Sequence, residues 1–172
     1  MSKIRIWHSS RDAYHCAYRM LLLLLSAEAH TISFERLRIL DLYVLYPPLL
    51  HRASMPQVLR EQFKGLSIPH PDDLFTQLPS VAAISQDLRL YQNAAASLLV
   101  AKGILDKETF RTGMAQLVSN SVPRTLFDRL ISGPQTGDAV VRFLTGEFAK
   151  LPLTGEGNVY RRIGLPTRGI SQ

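Results

Sequence analysis

The stretch that most constrains this chain is Thr31 to Pro47, TISFERLRILDLYVLYP, in which apolar residues fall on nearly every side of a helix. Phe34, Leu37, Leu40 and Val44 make one line at helical spacing, and Ile39, Leu42, Tyr43, Leu45 and Tyr46 widen it. Glu35, Arg36, Arg38 and Asp41 are its charges. Ser33 is placed to accept from the amides of the first turn, Ile32 and Leu37 have the spacing of a hydrophobic staple, and Pro47-Pro48 stops the helix. A helix this apolar needs neighbours on more than one side, so it is expected to be central and buried.

The flanking sequence supplies those neighbours. Lys3 to Trp7 alternates polar and apolar residues, as a short edge strand would. Ser9 and Asp12 open a helix to about Ala27 with Tyr14, Ala17, Tyr18, Leu21, Leu22 and Leu25 inward, giving a helical hairpin with the central helix. A short helical piece follows at Leu49 to Ala53, then a helix from Met55 to Leu66 with Val58, Leu59, Phe63 and Leu66 as its stripe. The proline-rich segment 67–80 reads as a loop with a brief turn near Asp72; if the chain has two packed lobes, they meet here.

A second long helix is predicted from Pro79 to Lys102, closed by Gly103 in the left-handed conformation with Ile104 folding back on Leu99. Asp106 caps a further helix to about Val118, so Leu88 to Val118 has the form of a helix-turn-helix or winged-helix unit, a form also found at tight corners of helical bundles. Helices at Val122 to Ser132 and Asp138 to Leu151 follow, and residues 152–172 read as an irregular or hairpin-like tail. The fold class is mainly α, with minor β at the termini.

Charge and chemistry narrow the function. The longest apolar run, Met20 to Leu25, is six residues, far short of the roughly 20 needed to span a bilayer, and the first residues lack a signal-peptide pattern. With a single Cys16 there is no disulfide framework, and a cytoplasmic protein is expected. The net charge of +6 and sequence pI near 9.8 favour an anionic partner. Fifteen of the twenty basic residues are Arg, and the excess lies in the first 60 and last 52 residues.

Catalytic chemistry is not evident in the sequence. His8, His15, His30, His51 and His70 lack the spacing of a helical metal pair, Gly155-Glu156-Gly157 reads as a turn, and Asp72-Asp73 reads as a cap between prolines. No catalytic, cofactor or metal residue is therefore assigned, and a non-enzyme is expected. Two places suit recognition. The tail mixes Tyr160, Arg161, Arg162, Ile163 and Leu165, a composition that fits either an interface or packing against the chain's own core. Arg36, Arg38 and Lys102 could meet DNA or an acidic surface, although residues at i, i+2 do not share a helix face; pairing with Glu35, Asp41 or a protein partner is the other reading.

Four pieces together carry a resemblance: W-H-S-S-R-D at Trp7 to Asp12, F-E-R-L-R-I-L-D-L-Y-V-L-Y-P at Phe34 to Pro47, L-L-V-A-K-G-I-L-D at Leu98 to Asp106, and the glycine, arginine and Gly-Leu pattern between Gly155 and Leu165. In this order they resemble the middle component of the ABC three-component systems, and the chain is similar to the small subunit of Lamassu-type anti-phage and anti-plasmid systems. Val159-Tyr160 and Ile163 depart from the usual tail pattern. The resemblance implies a non-catalytic bridging subunit. Its partners would be an ATPase of the structural-maintenance-of-chromosomes (SMC-like) type with coiled coils and an effector, often a nuclease, restrained until foreign or broken DNA is sensed. DNA would be met indirectly through the complex, with no membrane and no cofactor. The competing reading is a stand-alone winged-helix DNA-binding protein.

Overall fold

A computed structural model describes residues 11–75, 77–133 and 138–166. The predicted strand at Lys3 to Trp7, the Ser9 start signal and Arg168 lie outside the described residues. The chain is mainly helical, with α1 (Ala13–Ser26), α2 (Phe34–Leu45), α3 (Gln57–Lys64), α4 (Val81–Ala101), α5 (Lys107–Arg111), α6 (Arg124–Ser132), α7 (Ala139–Thr145) and α8 (Val159–Arg162). Short 3-10 turns at Pro47–Arg52, Pro71–Asp73 and Phe148–Lys150 connect them. Two short strands, β1 (Thr31–Ser33) and β2 (Met114–Gln116), pair antiparallel.

The Leu-rich helix α1 is held as deeply as the helix expected to be central. Asp12 caps it, accepting from the amides of Tyr14 and His15 at 2.7 and 3.2 Å. Beyond the first turn, Met20, Leu21, Leu22, Leu23 and Leu24 are buried in succession, because α1 packs against α2, α4, α6 and α7 on different sides. A one-sided stripe was the expectation, with Tyr14 inward. Instead Tyr14 is 72% exposed, one turn below the point where neighbours close around the helix. Val58 is likewise 72% exposed, since α3 turns only Leu59 and Phe63 into the core.

Helix α2 starts one residue after its cap. Ser33 accepts from the Arg36 amide at 3.3 Å, and Ile32 and Leu37 are both buried, as the staple spacing implies. The residues that lead into the helix, Thr31 to Ser33, form a short strand. Thr31 and Ile32 are β-branched, and a partner strand lies beside them. At its far end α2 stops at Leu45, before Pro47 and Pro48. It packs against α1, α4 and α7.

Helix α4 matches its predicted span closely. Ser80 caps it through the Ala83 amide, and Gly103, at φ +68°, closes it in the left-handed region. The Ile104 amide donates to the Leu99 carbonyl at 2.9 Å and the Gly103 amide to Val100 at 3.0 Å, the paired bonds of a Schellman motif. The predicted helix from Asp106 to Val118 is cut short. Asp106 does cap α5, accepting from the Thr109 amide and hydroxyl at 2.7 and 2.6 Å. However, Gly113 at φ +86° turns the chain out of the helix, and Met114–Gln116 enters the sheet instead.

Helix α7 also ends early, at Thr145. A Cβ on Gly146 would stand 2.8 Å from the Arg142 carbonyl oxygen, so the chain leaves the helix at a residue without one. The tail contains one helical turn, α8, that its sequence did not announce. Asn158 caps it, accepting from the Arg161 amide at 3.1 Å while donating to the Gly155 carbonyl at 2.7 Å. Buried residues from Cys16 through Phe63, Leu88 and Phe148 to Ile163 form one continuous cluster. Among the described residues, no helix is long and apolar enough to cross a membrane.

Candidate protein-docking groove

The deepest polar feature of the core fixes where the surface groove lies. Asp41 is fully buried on α2, and its Oδ1 receives Arg19 Nε of α1 at 2.6 Å. Gln92 Nε2 of α4 donates to Oδ2 at 2.9 Å, and the Cys16 thiol approaches the same oxygen at 3.6 Å. The carboxylate thereby ties three helices at one point, with its charge matched by a guanidinium. Burial and the adjacent Asp41 push the Cys16 thiol well above its ordinary range, so it stays protonated.

Gln92 passes this network outward. It donates to the Arg38 carbonyl at 3.0 Å and accepts from Arg38 Nε at 3.1 Å, while the Arg38 guanidinium carbon lies 5.9 Å from the centre of the Phe34 ring. Arg38 is therefore bound to Gln92, and the buried partner of Asp41 is Arg19; of the partners the sequence offered Arg36 and Arg38, namely Glu35, Asp41 or another protein, Asp41 is taken by Arg19. The sequence held one signal for it. Asp41 follows Leu37 by four and Phe34 by seven residues, which puts it inside the apolar stripe, and Arg19 precedes an unbroken apolar run.

Arg38 opens onto a groove of about 330 Å³ between α2, the first half of α4 and the tail. Glu35, Arg38, Ile39 and Leu42 line one wall, and Ala82, Ser85, Gln86 and Arg89 the other, each set recurring at three or four residues along its helix. Tyr160, Ile163, Leu165 and Pro166 close the end. The fold thus joins Arg38, Tyr160 and Leu165, which are far apart in sequence. Ile163 is buried, and Tyr160 and Leu165 pack partly against the core, so the tail does pack back on its own chain while leaving part of two side chains in the groove.

The other predicted residues separate. Arg162 fastens the tail: its Nε donates to the Gly157 carbonyl at 2.6 Å, its Nη1 to Ser54 at 3.2 Å, and its own carbonyl accepts from the Ser54 amide at 2.7 Å. Arg161 is exposed beside it. Arg36 lines a second cleft, of about 660 Å³, bordered by β1 and α7; burial lowers its guanidinium pKa, an effect Tyr160 partly offsets. Lys102 is exposed at the C-cap of α4, thirteen residues beyond Arg89 and hence roughly 20 Å along the helix. Arg36, Arg38 and Lys102 do not make one patch.

The histidines are partly gathered by the fold. His51 and His70 rings stand 4.8 Å apart, with His51 Nε2 at 2.8 Å from the Ile68 carbonyl and His70 beside Asp72. Among the described residues, no group of three or more His, Cys, Asp or Glu side chains could hold a metal ion. What the surface does gather, at one end of the α2 and α4 pair, is an aromatic ring, aliphatic groups and guanidinium groups.

These features describe a small, mainly helical protein with a groove between α2, α4 and the tail. The family model of the ABC-three component (ABC-3C) system Middle Component 5 matches residues 5–168, and the chain belongs to that family. It is accordingly an accessory subunit of a three-component system and works with partner subunits. No curated protein and no solved structure matches it.

Proposed function

We propose that this chain is a non-catalytic bridging subunit of a defence complex of the Lamassu type. It binds a coiled-coil, SMC-like ATPase and holds an effector, a nuclease in this reading, inactive until foreign DNA is sensed. The observation that carries the proposal is the family membership of residues 5–168. The groove supports it by offering Tyr160, Leu165 and Arg38 as anchors of the kind that dominate interfaces. Control follows from differential binding: the subunit favours the resting complex, and rearrangement of the ATPase removes its contacts with the effector.

The stand-alone winged-helix reading loses its main support. Helix α5 is five residues long, about 7 Å, too short to lie along a major groove as a recognition helix, and its Arg111 is paired with Glu108 at 3.1 Å. The test is co-purification of the chain with the products of its neighbouring genes, together with DNA titration of the isolated chain at two salt concentrations. A large ATPase and an effector recovered in fixed ratio, with weak DNA binding by the chain alone, is the expected result. Recovery of the chain alone with tight, steeply salt-dependent duplex binding overturns the proposal.

A further inference from the structure

Among the described residues, the short sheet has one covered edge and one open edge. Phe34 donates to the Gly113 carbonyl at 2.8 Å and Leu117 donates to His30 at 3.1 Å, so residues 30, 32 and 34 face β2 in the ladder. By the alternation of an antiparallel pair, Thr31 and Ser33 turn their backbone groups away from β2. The outer side of β2 is occupied, since the Asp106 amide donates to Gln116 and the Val118 amide to Ile104. On the outer side of β1, the Thr31 N–H and C=O and the Ser33 N–H have no hydrogen-bond partner among the described residues.

That open edge borders the cleft of about 660 Å³, whose lining includes Thr31, Ser33, Arg36, Arg142, Lys150 and Glu28. Lys150 is shared with Glu147, but Arg36 and Arg142 meet no carboxylate within 4.0 Å among the described residues. Arg36 is half-buried, a setting in which a guanidinium gains from a fixed anion. Backbone donors and an acceptor on a strand edge, next to two guanidiniums without an acid, are complementary to an extended chain bearing carboxylates. A second copy of β1 would bring the same cations together and is disfavoured by charge.

We propose that β1 receives an extended, acidic segment of a partner protein by strand addition, with backbone pairing at Thr31 and Ser33 and carboxylates set against Arg36 and Arg142. This surface shares no lining residue with the groove closed by Tyr160 and Leu165, although Arg36 lies within electrostatic reach of Tyr160, and its test needs no ATPase or effector.

The probe is a fluorescein-labelled decapeptide of alternating Glu and Val, titrated against the purified chain by fluorescence anisotropy. The expected result is saturable binding that weakens with salt, falls at least tenfold when Gln replaces Glu in the peptide, and falls at least tenfold in both Thr31→Pro and Arg142→Glu. Thr31→Pro removes an outward donor but also restricts His30, which stands at φ +49° and accepts from Leu117 in the ladder; Arg142 is exposed and outside the ladder, so Arg142→Glu reports even if the proline variant fails to fold. Absence of saturable binding, or binding that Arg142→Glu leaves within twofold, overturns the proposal. So does displacement of the peptide by labelled oligothymidylate whose own binding is unaffected by Thr31→Pro, which would make the cleft a nucleic-acid site.

Discussion

Asp41 brings a full charge into a core built mostly from apolar side chains, and its surroundings decide what a change there does. Replacing it with Ala leaves Arg19, 6% exposed, without its carboxylate and strips Gln92 of an acceptor. Asp41→Ala is expected to lower unfolding free energy by about 3–5 kcal/mol, read from urea denaturation. At Tyr43 the buried polar group has, among the described residues, no partner to lose. Its hydroxyl is buried with no hydrogen-bond partner among the described residues, and burial raises its pKa well above the ordinary value. Tyr43→Phe removes that unpaired group while keeping the ring against Phe148, so it is expected to match the parent or exceed it by up to about 1 kcal/mol in the same assay. Cys16 illustrates the same logic for reactivity. With its pKa raised by burial, the thiol should react with a disulfide reagent at pH 8 only as the chain unfolds, more than roughly tenfold slower than in urea.

At the scale of single elements, the corner from α4 to α5 depends on one backbone conformation and one cap. Gly103 sits at φ +68° with open space where a Cβ would go, so Gly103→Ala costs backbone strain rather than a clash, about 1 kcal/mol by thermal or chemical unfolding. Asp106 is held below the usual carboxylate range by its bonds from the Thr109 hydroxyl and amide. Its folded pKa therefore lies below its unfolded one. The cap's contribution is complete above the unfolded value and is lost as pH falls through the folded value. The melting temperature of Asp106→Ala should accordingly lie below that of the parent at pH 7, with the gap narrowing as pH falls below the ordinary carboxylate range and the folded carboxylate is protonated. Both signals were readable in order along the chain, because caps and left-handed closures act within a few residues. The length of α5 was not, since the gain from pairing Met114–Gln116 with β1 comes from residues some eighty positions earlier.

For the whole molecule, Arg162 helps to hold the tail against the body and so shapes the groove that the tail closes. Arg162→Ala removes donors to Gly157 and Ser54, and is expected to cost about 1–3 kcal/mol and to weaken partner recovery along with stability. Leu165→Asp, on a side chain only partly buried, should leave the circular dichroism spectrum unchanged while abolishing partner recovery; unchanged recovery would remove the groove from the interface. The sequence by itself determined the helical class, most helix starts and most of the apolar faces, Tyr14 and Val58 apart, because hydrophobic periodicity, capping side chains, glycine and proline act locally. Only the tertiary structure decided which charges are paired and which surfaces exist. The Arg19–Asp41–Gln92 network, the open edge of β1 and the groove joining Arg38 to Tyr160 arise from segments brought together by burial, and a distance between such segments is a property of the packed core rather than of any stretch of chain.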